Sequence, residues 1–277
     1  MTIERNSQGE SCGEFSLHPD FTSKYVQPRN VNIWLPSSYG MQSDRQYRVI
    51  YAHDGQNLFN PKTSYSGVDW GLHETLCRMM TAGEVRDTLV VGIWNTPERY
   101  REYDPQRVFE EYLDSAERAA YAEAYGHPVA DRYLKFIVRE LKPFIDSNFR
   151  TLPGRDDTLL LGSSMGGLIS AYALCEYPEV FGGAACLSTH WPAGHGRMNK
   201  YLDACLPEPG THRFYFDFGT ETIDAQYETL QREVDLVMQR RGYVVGDDWL
   251  TRKFIGADHS ERAWRSRLDI PLRFLLS

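Results

Sequence analysis

Between residues 159 and 170 the chain reads LLLGSSMGGLIS, an apolar run that breaks on small residues around two serines and resumes as a helix-forming stretch. Gly162-Ser163-Ser164-Met165-Gly166 fits G-x-S-x-G, in which a serine occupies a strained turn between a strand and a helix. Gly162 and Gly166 carry no Cβ, so the turn can be tight and neighbouring backbone can come close. Residues 158–161 supply the strand and residues 168–175 the helix, so the motif has its context on both sides. Only Ser164 has glycine two residues before and two after it, which makes it rather than Ser163 the candidate nucleophile. The plainer reading is a Gly/Ser turn that merely links two elements.

The rest of the chain repeats the strand-then-helix arrangement. VNIWLP (31–36), YRVIYAHD (47–54), TLVVGIW (88–94), TLLLG (158–162), GAACLS (183–188) and RFYFDFG (213–219) read as short buried strands, and LTRKFIG (250–256) makes a seventh. Leu134, Ile137, Val138, Leu141 and Ile145 fall on one helix face that Asp131 is placed to cap, with Pro143 expected to bend or shorten it. Tyr227, Leu230, Val234 and Val237 repeat the stripe, and Gly242 is placed to end that helix. This alternation predicts an α/β fold: a mostly parallel sheet covered on both faces, with the loops at the carboxyl ends of the strands free to build a site. Residues 104–128, polar and rich in Glu, Ala and Tyr, fit least well and read as a lid over the site or as a surface helix pair. With 277 residues and no linker or repeat, residues 1–277 are expected to form one domain.

Charge and cysteine usage narrow the function class. A formal net charge of −8 argues against a nucleic-acid surface. No apolar run reaches the roughly 20 residues that span a bilayer, and the first 15 residues lack a secretory apolar stretch, so the cytoplasm is the expected compartment. The five cysteines are scattered and odd in number, which suggests buried thiols instead of a disulfide framework or a thiolate zinc site. HETLC at His73 lacks the second histidine of H-E-x-x-H. No metal and no cofactor is expected.

A serine hydroxyl needs a base and an orienting acid, which follow this type of turn in the order serine, acid, histidine. His259, in FIGADHSERAW beyond the seventh strand, is the one histidine downstream of the sixth strand. Its plainer reading is a polar loop histidine. For the acid, the stretch DFGTETIDAQY offers Asp224 or, alternatively, Glu221; Asp217 lies within the strand, and Asp224 also suits a helix N-cap. For the oxyanion, the backbone N–H of Met165 is one donor and that of Gln56, in HDGQNLF, the other. His53 and His190 end strands and are placed to line a pocket. Asn95 and Arg99, in GIWNTPERYREYDP, are candidate substrate contacts. Either Arg99 or Arg101 is suited to clamp a carboxylate or phosphate, and each is equally able to pair with Glu98 or Glu102. Trp191 is either an aromatic wall for the substrate or core.

YAHDGQNLF, GSSMGGLIS, FDFGTETID and GADHSERAW, in this order, resemble an esterase family of α/β-hydrolases. The family includes enterochelin, feruloyl and acetylxylan esterases, esterase D and the antigen 85 mycolyltransferases. The resemblance runs from about residue 31 to the C-terminus. It implies an α/β-hydrolase fold and a cofactor-free serine hydrolase acting on a small-molecule ester, with Ser164, His259 and Gln56 at the nucleophile, base and oxyanion-loop positions and either acid possible. Acyl transfer with the same residues, or a non-catalytic binding protein on the same scaffold, are the alternatives.

Overall fold

The apolar runs are continuous because the strands they form are covered on both faces, and burial of successive residues into opposite layers is what orders the sheet. In the computed structural model, which describes residues 2–5 and 11–277, nine strands make one sheet. They are β1 (Thr2–Arg5), β2 (Ser11–Phe21), β3 (Arg29–Leu35), β4 (Arg48–His53), β5 (Thr88–Ile93), β6 (Thr158–Ser163), β7 (Gly183–Leu187), β8 (Arg213–Gly219) and β9 (Trp249–Phe254). Their order is β1-β2-β3-β5-β4-β6-β7-β8-β9. From β5 to β9 every neighbouring pair is parallel, whereas β1, β2 and β3 pair antiparallel at one edge.

Alternation along each strand feeds two apolar layers. Val49, Tyr51 and Leu160 face the layer that holds the helices Ala130–Phe136, Met165–Glu176, Met198–Cys205 and Glu228–Arg240. Ile50, Ala52, Leu159 and Leu161 face the layer that holds Leu72–Thr81 and Asp269–Leu276. β9 departs from the expected buried strand: it is the far edge, and most of its residues are half-buried or exposed.

Several local expectations are corrected. The stripe from Leu134 to Ile145 does belong to one continuous helical run, but a wide π turn at Ile137–Leu141 interrupts it just before Lys142–Asn148. Pro143 has no N–H to give, and the wider turn accommodates the missing bond without breaking the run. Asp131 does not cap; it accepts a hydrogen bond from the Tyr172 hydroxyl at 2.7 Å. Residues 104–128 carry two helices, Gln106–Tyr112 and Ser115–Tyr125, the second started by an Asp114/Glu117 capping box. Val108, Phe109, Leu113 and Tyr121 anchor the pair in the core. Two cysteines are not free thiols: Cys12 on β2 and Cys77 on Leu72–Thr81 form a disulfide, with Cα atoms 5.8 Å apart. The helix packs against β2, a proximity that a 65-residue separation hides. Such bonds persist in oxidising surroundings, which weighs against the cytoplasmic expectation. Among the described residues no helix is long and apolar enough to cross a membrane.

Candidate active site

β6 passes into the helix Met165–Glu176 through Ser164, whose φ of 56° and ψ of −123° lie outside the regions that L-residues favour. The turn is held from both sides. Ser164 N–H donates to Leu187 O at 2.9 Å, and its carbonyl accepts from the N–H groups of Leu168 and His190, both at 3.1 Å. A Cβ on Gly162 would lie 2.4 Å from Gly166 O, so glycine is required there. Met165, as the first helical residue, has an N–H with no acceptor inside the helix.

The loop after β8 brings the acid. Asp224 sits in the turn Thr222–Gln226, ahead of the helix Glu228–Arg240, so it caps nothing and is wholly buried. One carboxylate oxygen meets His259 Nδ1 at 2.5 Å; the other accepts from Ser188 Oγ and Gly219 N–H, each at 2.6 Å. Burial pushes the Asp224 carboxyl up, but these hydrogen bonds outweigh it and hold it below the usual carboxylate range. Glu221 is exposed; among the described residues its side chain hydrogen-bonds only Thr220 Oγ1, at 3.5 Å, and it makes no hydrogen bond with His259. His259 is fixed by its own N–H on Thr222 Oγ1 at 3.0 Å and by the edge-on ring of Trp264 at 5.0 Å.

The loop after β4 faces the serine from the other side. Asp54 adopts a left-handed conformation, φ 56° and ψ 46°, and leads into the turn Gly55–Asn57. A Cβ on Gly55 would lie 2.4 Å from Gly92 C of β5, which is why the turn needs glycine to lie so close to the sheet. Arg99 donates to both Asp54 oxygens at 2.7 Å, and Asn95 Nδ2 donates to Asp54 at 2.6 Å. Burial raises the Asp54 carboxyl, and Arg99 with Asn95 brings it below its ordinary value. The Gln56 side chain accepts from Asn95 N–H at 3.2 Å, which ties the two loops together.

Asn95 and Arg99 are therefore spent on Asp54, and Arg101 is paired with Glu98, while Glu102 takes Arg29. Trp191 is 2% exposed, packs against Phe216 and donates its indole N–H to Gln231 at 2.9 Å: it is core. Sequence reasoning missed Ser188, Gly219 and Tyr227. Tyr227 reads as a stripe residue, yet its hydroxyl lies beside Ser164 and meets His190 Nδ1 at 2.7 Å. A serine at the end of the strand preceding β8 is the signal that could have found Ser188.

A serine on a strand-to-helix turn at the centre of a mostly parallel sheet, with helices on both faces, defines the α/β-hydrolase class. Within it, residues 23–275 match the family model described as "Putative esterase", and the chain belongs to that family. It is an esterase enzyme. The Bacillus subtilis protein YbbA is 24% identical over 208 residues, 74% of this chain and 73% of that protein. An IroE-like serine hydrolase from Shewanella oneidensis superposes with a TM-score of 0.71 at 19% identity, covering 95% of this chain and 80% of that one. A ferulic acid esterase gives 0.68 at 17% identity, covering 95% and 98%. The enterobactin esterase of Shigella flexneri gives 0.62 at 16%, and the match covers 95% of this chain but 59% of that longer protein.

Proposed function

We propose that this protein cleaves a small carboxylic ester through a Ser164–His259–Asp224 triad and an acyl-enzyme. The observation that carries the reading is the 2.5 Å bond from His259 Nδ1 to a wholly buried, doubly anchored Asp224. A carboxylate so placed fixes the imidazole with its proton on Nδ1, which leaves Nε2 unprotonated and able to accept the serine proton. Ser164 Oγ then attacks the ester carbonyl carbon, its proton passes to His259, and the N–H groups of Met165 and Gln56 stabilise the tetrahedral oxyanion. Collapse of that intermediate breaks the bond to the alkoxide, which leaves with the proton from His259. Water, deprotonated by His259, releases the acid and restores Ser164.

The arrangement asks for no metal or cofactor at any of these steps. Names of similar proteins, ferulic acid esterase and enterobactin esterase among them, support an ester as substrate. Labelling with a fluorophosphonate tests the reading: the wild type is expected to be modified at Ser164 and Ser164→Ala left unlabelled. Labelling retained in Ser164→Ala, or absent from the wild type, would refute it.

A further inference from the structure

We propose that His190 and Tyr227 form a subsite beside the serine that receives an uncharged oxygen of the substrate, a hydroxyl, ether or carbonyl oxygen, on His190 Nε2–H. The inference rests on the esterase reading and adds to it a class of substrate.

His190 is locked to the reacting residue, because its backbone N–H donates to Ser164 O at 3.1 Å. Its ring stands edge-on to Tyr227 at 5.8 Å, and Tyr227 in turn stands edge-on to His259 at 5.9 Å, so the phenol links the two imidazoles. Burial, with His259 and Arg99 nearby, brings the His190 imidazole down to about 4 and keeps it neutral in the working range. Burial and the Asp224 charge keep the Tyr227 phenol protonated. The Tyr227 hydroxyl lies beside both His190 Nδ1, at 2.7 Å, and Ser164; in this proposal its proton goes to Nδ1, and a neutral imidazole accepting on Nδ1 carries its own proton on Nε2. Nε2 makes no hydrogen bond among the described residues, and it is not shut away from solvent in this half-buried side chain. The result is a neutral N–H donor tethered beside Ser164 through the His190 backbone.

Charge decides what it receives. Arg99, the cation among the described residues whose charge is felt at His190, has both arms on Asp54, and Asp224 is taken up by His259, Ser188 and Gly219. A substrate carboxylate here would be desolvated against a single neutral donor, whereas an uncharged oxygen is fully served by one.

The test uses isosteric ester pairs and the full chain. On the acyl side it compares p-nitrophenyl methoxyacetate with p-nitrophenyl butyrate; on the alcohol side, 2-methoxyethyl acetate with butyl acetate. Each rate is divided by its hydroxide-catalysed rate. In at least one series the wild type is expected to favour the oxygen-bearing ester about 5- to 10-fold in kcat/KM, the range of one neutral hydrogen bond. The ratio should fall to near 1 in His190→Phe and recover in part in His190→Gln, which offers a neutral N–H donor again. Tyr227→Phe, which frees the tautomer, should lower it too and serves if His190→Phe fails to fold. A ratio unmoved in these variants, or a preference for the p-nitrophenyl hemisuccinate carboxylate over both neutral acyl esters, overturns the subsite while esterase turnover stands. Absence of all ester turnover together with absence of Ser164 labelling overturns the esterase reading, and the subsite with it.

Discussion

Two loops approach Ser164 from opposite sides, one after β4 and one after β8, and each carries a buried aspartate held below its ordinary range. They differ in the partner. Asp54 faces Arg99, a guanidinium that stays charged and grips both oxygens at 2.7 Å, so the β4 loop is pinned by a permanent ion pair. Asp224 faces the imidazole of His259, the proposed base, and takes its remaining hydrogen bonds from neutral donors, Ser188 and Gly219. The first arrangement suits a loop that must keep a backbone N–H in one place throughout a reaction. The second suits a base that must gain and lose a proton. An aspartate's role is thus set by what it is bonded to, since both are nearly or wholly inaccessible.

Removing the charge on the β8 side should have the largest effect. Asp224→Asn is expected to lower kcat by up to about 10⁴-fold, because an amide stabilises the wrong imidazole tautomer, with the fold kept by circular dichroism. Glu221→Gln should change kcat less than about threefold; the reverse ranking would make Glu221 the acid and dissolve the comparison. On the β4 side, Arg99→Lys keeps the charge but loses the two-armed grip. A misplaced Gln56 N–H should then cost about 10²-fold in kcat with KM little altered, and a KM effect alone would instead mark Arg99 as a substrate contact.

A smaller loss is expected for Ser188→Ala, about tenfold in kcat. One of the donors on Asp224 disappears, and with it part of what holds this carboxyl low. The last prediction concerns stability rather than rate. His53, wholly enclosed with Nδ1 on the Tyr133 hydroxyl at 2.8 Å, is brought by burial down to about 4. Unfolded, it binds a proton as the pH drops through its ordinary value of 6.5; folded, it resists until about 4. Stability is therefore lost between pH 6.5 and 4, by at most roughly 3 kcal/mol from this residue, and levels off below. Urea midpoints at pH 7 and 4.5 should differ less in His53→Gln than in the wild type.

The strands that surround the site were legible because burial on both faces writes a continuous apolar run, as in TLLLG and RFYFDF. β1 and β2 were not, since an antiparallel edge needs no such run: SCGEFSLHPDF alternates weakly and is largely half-buried or exposed. Ser164, His259 and the choice of two acids could be read from motif and chain order. The choice itself could not, because Glu221 and Asp224 lie three residues apart and only the turn Thr222–Gln226 decides which one points inward. The partner of Arg99 was hidden for a related reason: a guanidinium in a site loop advertises its charge but not its partner, and Asp54 is 45 residues away in sequence.

The backbone of Ser164 has one more consequence. A non-glycine residue held at φ 56° and ψ −123° costs on the order of 1–3 kcal/mol, and tight packing around the turn prevents its release. The chain thus carries a lasting loss of thermal stability at the residue proposed as its nucleophile. Ser164→Gly, which relieves the strain, should melt at a higher temperature than Ser164→Ala, which does not, with both expected to be inactive under the proposed mechanism. Relief of this strain then comes only with loss of the proposed nucleophile, so selection for endurance at this position would lead away from catalysis.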